Sequence, residues 1–323
     1  MRRLPFVAVF CGLIALAGCG GGGGGTVASP PTYVPPATGG PFVYVVDGGW
    51  FVLQIPQSEN GVLNASSAIH GPNTGLQGAS GIARDATGNI YVSDTGLNQI
   101  VVYPPAVAGN VVPSAIISGT ATALASPRGL AIDGTGRLIV ANTAGNSVTI
   151  YAAGANQNVA PVVTIAGSAT GLNMPSSVAV DAAGNIYVAN ESGAVTVFAP
   201  GANGNVAPAS TIAGSATGLN VPSGVCVDSS GNIYVANANG NSVTKYAAGS
   251  NGNIAPALTI AGSNTLLAFP QFLVIGSGGN LFVTSLSVPG VPGLMTVYAA
   301  GASGNVAPIQ TVTNFIGPIG ISL

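Results

Sequence analysis

The chain has 323 residues, rich in glycine (49) and proline (23), with only 4% charged residues and a formal net charge of −2. From Cys19 onward four basic residues, Arg84, Arg128, Arg137 and Lys245, stand against eight acidic ones, all scattered. Without a lysine or arginine footprint to hold phosphates, nucleic-acid binding is excluded, and the surface has to be made polar by Asn, Ser, Thr and Gly.

Arg2 and Arg3 precede an apolar run from Leu4 to Ala17, and Leu16-Ala17-Gly18-Cys19 follows. A positive start, an apolar stretch short for a bilayer and small residues before a cleavage point describe a secretory signal over residues 1–18. The four residues ending at Cys19 resemble the lipobox of bacterial lipoproteins, which implies a diacylglycerol on the Cys19 thiol and further acylation such as palmitate. The alternative is an ordinary signal peptide with an incidental cysteine. Each buried acyl CH₂ contributes about 0.8 kcal/mol to membrane attachment. The expected location is therefore the cell envelope, with Gly20 after the cysteine favouring an outer membrane or cell surface.

Residues 19–40 carry the lipidated cysteine, a glycine run to Gly25, and Pro30, Pro31, Pro35 and Pro36. Neither part can bury a core, so this is a tether with a root-mean-square reach of roughly 25 Å. With Cys11 and Cys19 assigned to signal and anchor, Cys226 is left alone and no disulfide is expected. Its counterparts in the repeat, Ala131 and Ala179, are small and apolar, which points to a buried, inert thiol.

From residue 41 the sequence repeats. Asp181 begins DAAGNIYVAN, and related runs begin at Asp85, Asp133, Asp228 and, in degenerate form, Gly276, with spacings of 47 or 48 residues. Each run reads as a hairpin: a β-branched strand, an Asp-x-x-Gly turn whose carboxylate accepts local amides, and a second strand such as Ile186-Tyr187-Val188. Two further strands, Ala194 to Phe198 and Pro208 to Ile212 in the third repeat, complete a four-stranded propeller blade, since no segment shows a helical period.

The ends fix the count. Phe42 to Val45 matches a second strand with no first strand before it, and Gly317 to Leu323 matches a first strand with no second after it. One blade is therefore shared, with the C-terminus giving its inner strand and the N-terminus its outer three. Six first strands and six second strands then close an all-β ring over 41–323, which removes open sheet edges. The Pro-x-Gly-Val-Ala-Val-Asp and Gly-Asn-Ile-Tyr-Val-Ala-Asn runs resemble NHL-repeat six-bladed propellers. The resemblance implies a fold rather than a ligand, because such propellers include scaffolds, ligand binders, lyases and lactonases.

By propeller convention the loops after second and fourth strands form the top, usually the binding face. The tether joins beside a second-strand start, at the bottom, so the top is expected to face away from the membrane. The second strands end in Asp47, Asp94, Asn142, Asn190, Asn237 and Ser285. One inter-strand spacing from the axis strand, this ring is too wide for one cation, and Asx-type capping of the following turns is the expected role.

Departures from the repeat supply the candidate binding patch. Trp50, the only tryptophan, sits in the top loop of the shared blade, and in the fifth the stretch after Ser285, which begins with Leu286, carries a four-residue insertion containing Pro289 and Pro292. Leu266, Leu267 and Phe269 replace a polar entry loop, while Arg128 and Gln271 stand at first-strand mouths near the axis. A protein or glycan partner would meet these residues, unless they pack on one another to cover the seam. Arg128 could meet an anion or stand alone in solvent; Arg84 has no role readable from sequence.

Related lyases use axial histidines, but the only histidine, His70, aligns with Ala166 on an outer strand. No glutamate lies in a first strand, and Glu59 and Glu191 are read as outer-loop residues, which argues against a lactonase or lyase site. The expectation is a monomeric, membrane-anchored binding or scaffolding protein with no cofactor, metal or catalytic residue. A propeller lactonase or lyase and a purely structural surface protein are the alternatives.

Overall fold

The computed structural model describes residues 42–65, 67–286 and 292–323. The segments expected to be signal and tether, with Cys19, and Pro289 of the fifth-blade insertion lie outside the described residues.

Each repeat folds as an antiparallel meander because its short apolar runs are punctuated by turns that only particular residues can make. In the third blade the strands are Pro175–Val180, Ile186–Asn190, Ala194–Phe198 and Ser210–Ala213, hydrogen-bonded in that order. The turn between the first two closes on Asp181. Its Oδ1 accepts the amides of Ala183 and Asn185, its Oδ2 accepts the Asn185 amide group and the Tyr187 hydroxyl, and Gly184 takes φ +87°. The same closure recurs at Asp85, Asp133 and Asp228. Burial raises the pKa of these carboxyls, but the hydrogen bonds they accept outweigh it, so all four lie below the ordinary aspartate range. The repeated aspartates are turn formers, as the sequence indicates.

Six such sheets form the ring, and the core lies between neighbouring blades. Ile139 and Val148 of the second blade, for example, pack on Val178 and Val188 of the third. At the axis the first strands approach backbone to backbone. A Cβ on Gly81 would fall 1.9 Å from the carbonyl oxygen of Arg128, and one on Gly320 2.4 Å from that of Ser80. At the rim, the long loop before each fourth strand climbs along the preceding blade. There Asn110, Asn158, Asn205, Asn253 and Asn305 each accept an amide from the preceding blade's exit turn.

The shared blade has the order Pro318–Ser322, Phe42–Asp47, Phe51–Pro56, Ser67–Ile69, so the C-terminal strand is innermost and the N-terminal segment supplies the other three. Tyr44 faces Ser322, and Val45 faces Ile321. Asp47 clasps the two ends, accepting the amides of Ile316 and Gly317 at 3.1 and 2.7 Å. Its pKa is raised because burial outweighs those bonds. A second clasp lies at the rim, where Gly61–Val62 pairs in parallel with Gln310–Phe315 and makes the fifth sheet five-stranded.

Candidate functional site

Of the second-strand ends, Asp47, Asp94, Asn142, Asn190 and Asn237 are buried and bonded within the fold. Asn142, Asn190 and Asn237 accept the amides of Ala125, Asn173 and Asn220, and Asp94 accepts those of Gln77 and Leu97. Their role is structural, as expected. Their main partner, however, is the loop leading into the blade's own first strand; Asp94 and Asp47 also bond the following turn, through the amides of Leu97 and Gly48.

Arg128 is not the solitary solvated arginine weighed from sequence. Its guanidinium Nη2 donates to Oε1 of Gln271 at 2.9 Å, and Nη1 pairs with Oε1 of Glu191. Arg128 belongs to the second blade and Gln271 to the fifth, which are opposite members of a six-membered ring. The side chain therefore straps the mouth of the axial channel. Glu191 corrects a second expectation: it stands just past the third blade's second strand, and its carboxylate reaches inward to Arg128 rather than lying in an outer loop.

Around this strap the candidate patch divides. Trp50, Leu266 and Phe269 are exposed, at 56, 47 and 42%. Leu286 is half-buried, and its amide donates to the Phe269 carbonyl. Leu267 is a correction, because it is buried among Val243, Leu273 and Tyr298 between the fourth and fifth blades. Gln271 is buried as well, with its amide on the Phe269 carbonyl and its oxygen on Arg128. Trp50 is joined on the same face by exposed Ile316, whose methyls lie beside Gly48.

Arg84 acquires an explanation. Its guanidinium lies 4.4 Å from the centre of the Tyr44 ring, a cation–π contact between the first blade and the shared one. His70 lies at the end of an outer strand with its ring 5.9 Å from that of Phe51, away from the axis. Burial pushes the Cys226 thiol well above its ordinary range, so it is not a poised nucleophile. Among the described residues no three His, Cys, Asp or Glu side chains gather as a metal centre requires.

The NHL repeat family matches residues 219–246, which span the first three strands of the fourth blade. No curated protein matches the chain. Among solved structures, the chain is similar to a protein of unknown function from Bacteroides caccae, at 14% identity and TM-score 0.64 over 87% of this chain and 98% of that one. It is also similar to a candidate 6-phosphogluconolactonase from Bacteroides uniformis, at 15% identity and TM-score 0.59 over 90% and 87% of the two chains. A catalytically inactive virginiamycin B lyase from Staphylococcus aureus, with quinupristin, shows 13% identity and TM-score 0.51 over 81% and 85%. At such identities the likeness speaks to fold alone. The described chain is an NHL-repeat-like six-bladed β-propeller whose ring is closed by a blade built from both of its ends.

Proposed function

We propose that this propeller is a membrane-tethered extracytoplasmic binding or scaffolding protein that meets its partner with the top face. The observation that carries the reading is where the repeat breaks. Trp50, Leu266, Phe269 and Ile316 are exposed on top loops of two adjacent blades, the fifth and the shared one, whereas the top loops of the first and third blades expose Leu97 and Met174 singly. At the bottom, by contrast, the Asp-x-x-Gly turns are closed on themselves. Clustered exposed apolar side chains rimmed by polar loops are how a soluble surface marks an interaction site.

The Arg128 strap supports contact across the loops rather than down the axis. The lipobox-like Cys19 and the glycine- and proline-rich tether, joining at the bottom, would present the top outward. Two measurements test this. Cys19→Ala is expected to move the protein from membrane to soluble fractions, and Trp50→Ala with Phe269→Ala to abolish crosslinked envelope partners without lowering the melting temperature. Unchanged fractionation would overturn the anchor, and unchanged crosslinking the face.

A further inference from the structure

We infer that the cleft beside Trp50 binds an uncharged sugar ring of an envelope or environmental glycan; this rests on the top-face binding reading and names its ligand class. The cleft, about 520 Å³, is lined by Trp50, Phe51, His70, Pro72, Leu76 and Gln77, with Gly71 and Gly75. That volume lies within the range of small-molecule sites.

The repeat itself shows that this cleft is a departure. Where the third and fourth strands of a blade end together at the top, the second, third and fourth blades place Ser147 opposite Ala166, Ala194 opposite Ala213, and Ser242 opposite Ala261. In the shared blade Val52 faces Ile69, so the next pair outward is Phe51 and His70, whose rings are in contact. Two aromatic rings have replaced small side chains at one corner of one blade, and the exposed Trp50 stands beside them.

The lining determines the ligand's charge. It contains no Asp, Glu, Lys or Arg to hold an ionic ligand by a permanent opposite charge, which favours a neutral one. The Gln77 carboxamide, the His70 imidazole and the Trp50 indole N–H form no hydrogen bonds within the described residues and are free to pair with hydroxyls. A pyranose presents an apolar C–H face to an aromatic platform and neutral hydroxyls at its rim, which matches this combination. The floor is held in advance. Tyr103 donates to the Thr74 carbonyl at 2.6 Å, Gln99 to the Gly75 carbonyl at 2.8 Å, and Asp94 accepts the Gln77 amide. Little ordering entropy is then lost on binding.

Because Trp50 is the sole tryptophan, the emission of the full-length chain in detergent reports directly on the cleft. Chitotetraose, cellotetraose and maltotetraose are titrated against it, with an acidic tetragalacturonate as control. A saturable change with at least one neutral sugar, weakened at least tenfold by Gln77→Ala, supports the inference. So does loss of the calorimetric signal in Trp50→Ala at an unchanged melting temperature. No saturable response to any neutral sugar, or an equal response to the acidic one, overturns it. Partner crosslinking that persists without a sugar response would sink the glycan site and leave the binding reading standing, whereas loss of both removes both.

Discussion

Replacing Ser285 with asparagine should stabilise the protein. In the second, third and fourth blades the asparagine ending the second strand both accepts a loop amide and donates Nδ2 to a threonine, Thr149 at 2.9 Å, Thr196 at 3.2 Å and Thr244 at 3.1 Å. The fifth blade has Ser285 there, and among the described residues the hydroxyls of Ser285 and Thr296 are buried without a hydrogen-bond partner. An orphaned buried polar group costs about 1–3 kcal/mol, and a typical hydrogen bond contributes about 0.5–1.5 kcal/mol net. Ser285→Asn lets one amide meet Thr296 and the Ala268 N–H together, a gain of about 1–2 kcal/mol after some crowding. For a domain of this size each kcal/mol moves the midpoint by about 2–4 °C, so calorimetry should show a rise of about 2–8 °C. Thr296→Val separates mechanism from coincidence: it should be neutral or favourable alone and unfavourable in combination with Ser285→Asn. A lowered midpoint, or additive effects in that double-mutant cycle, would refute the reasoning.

Three other outcomes are expected. Gly81→Ala places a methyl 1.9 Å from the Arg128 carbonyl oxygen, so the axis strands must part, and urea titration should show a loss of about 3 kcal/mol or more. Asp181 has its carboxyl below the ordinary range in the folded state. The stability it contributes is therefore present above the unfolded value near 3.8 and lost as pH falls through the lower folded value. In Asp181→Asn the acid-side fall in urea midpoint between about pH 5 and pH 2 should be shallower than in the wild type. Arg128→Ala removes the strap between opposite blades and strands Glu191, at a cost of about 1–2 kcal/mol for a partly exposed pair. Arg128→Lys should recover little of this, because one ammonium cannot reach Glu191 and Gln271 with the same fork, and urea midpoints would show whether it does.

The ring was legible because its evidence is arithmetic. A spacing of 47 or 48 residues, a second strand without a first at one end and the reverse at the other leave few ways to build the sheets. The Asp-x-x-Gly turns were legible because their chemistry is local. What the sequence hid depends on contacts between residues far apart in the chain. Arg128 could be placed at a strand mouth, but its reach to Glu191 and Gln271, 63 and 143 residues away, depends on side-chain direction across the channel. Arg84 was unexplained because Tyr44 becomes its neighbour only once the ring has closed. The parallel pairing of Gly61–Val62 carries no strand-like pattern, being two residues on the rim. The Phe51 and His70 pair did carry a signal, in the column of Ser and Ala at the matching positions of the second, third and fourth blades, but alignment of His70 alone served only to set it apart from the axis.

Crosslinking the two ends tests the shared blade most directly. Val45 and Ile321 are directly opposed on its first two strands, a separation a disulfide can span. With Cys11, Cys19 and Cys226 replaced, Val45→Cys and Ile321→Cys should oxidise within one molecule, giving a monomer with no free thiol. Closing so long a loop should also raise its stability by up to about 5 kcal/mol. A folded monomer that keeps both thiols reduced under oxidant, or one that links only between molecules, would contradict the closure.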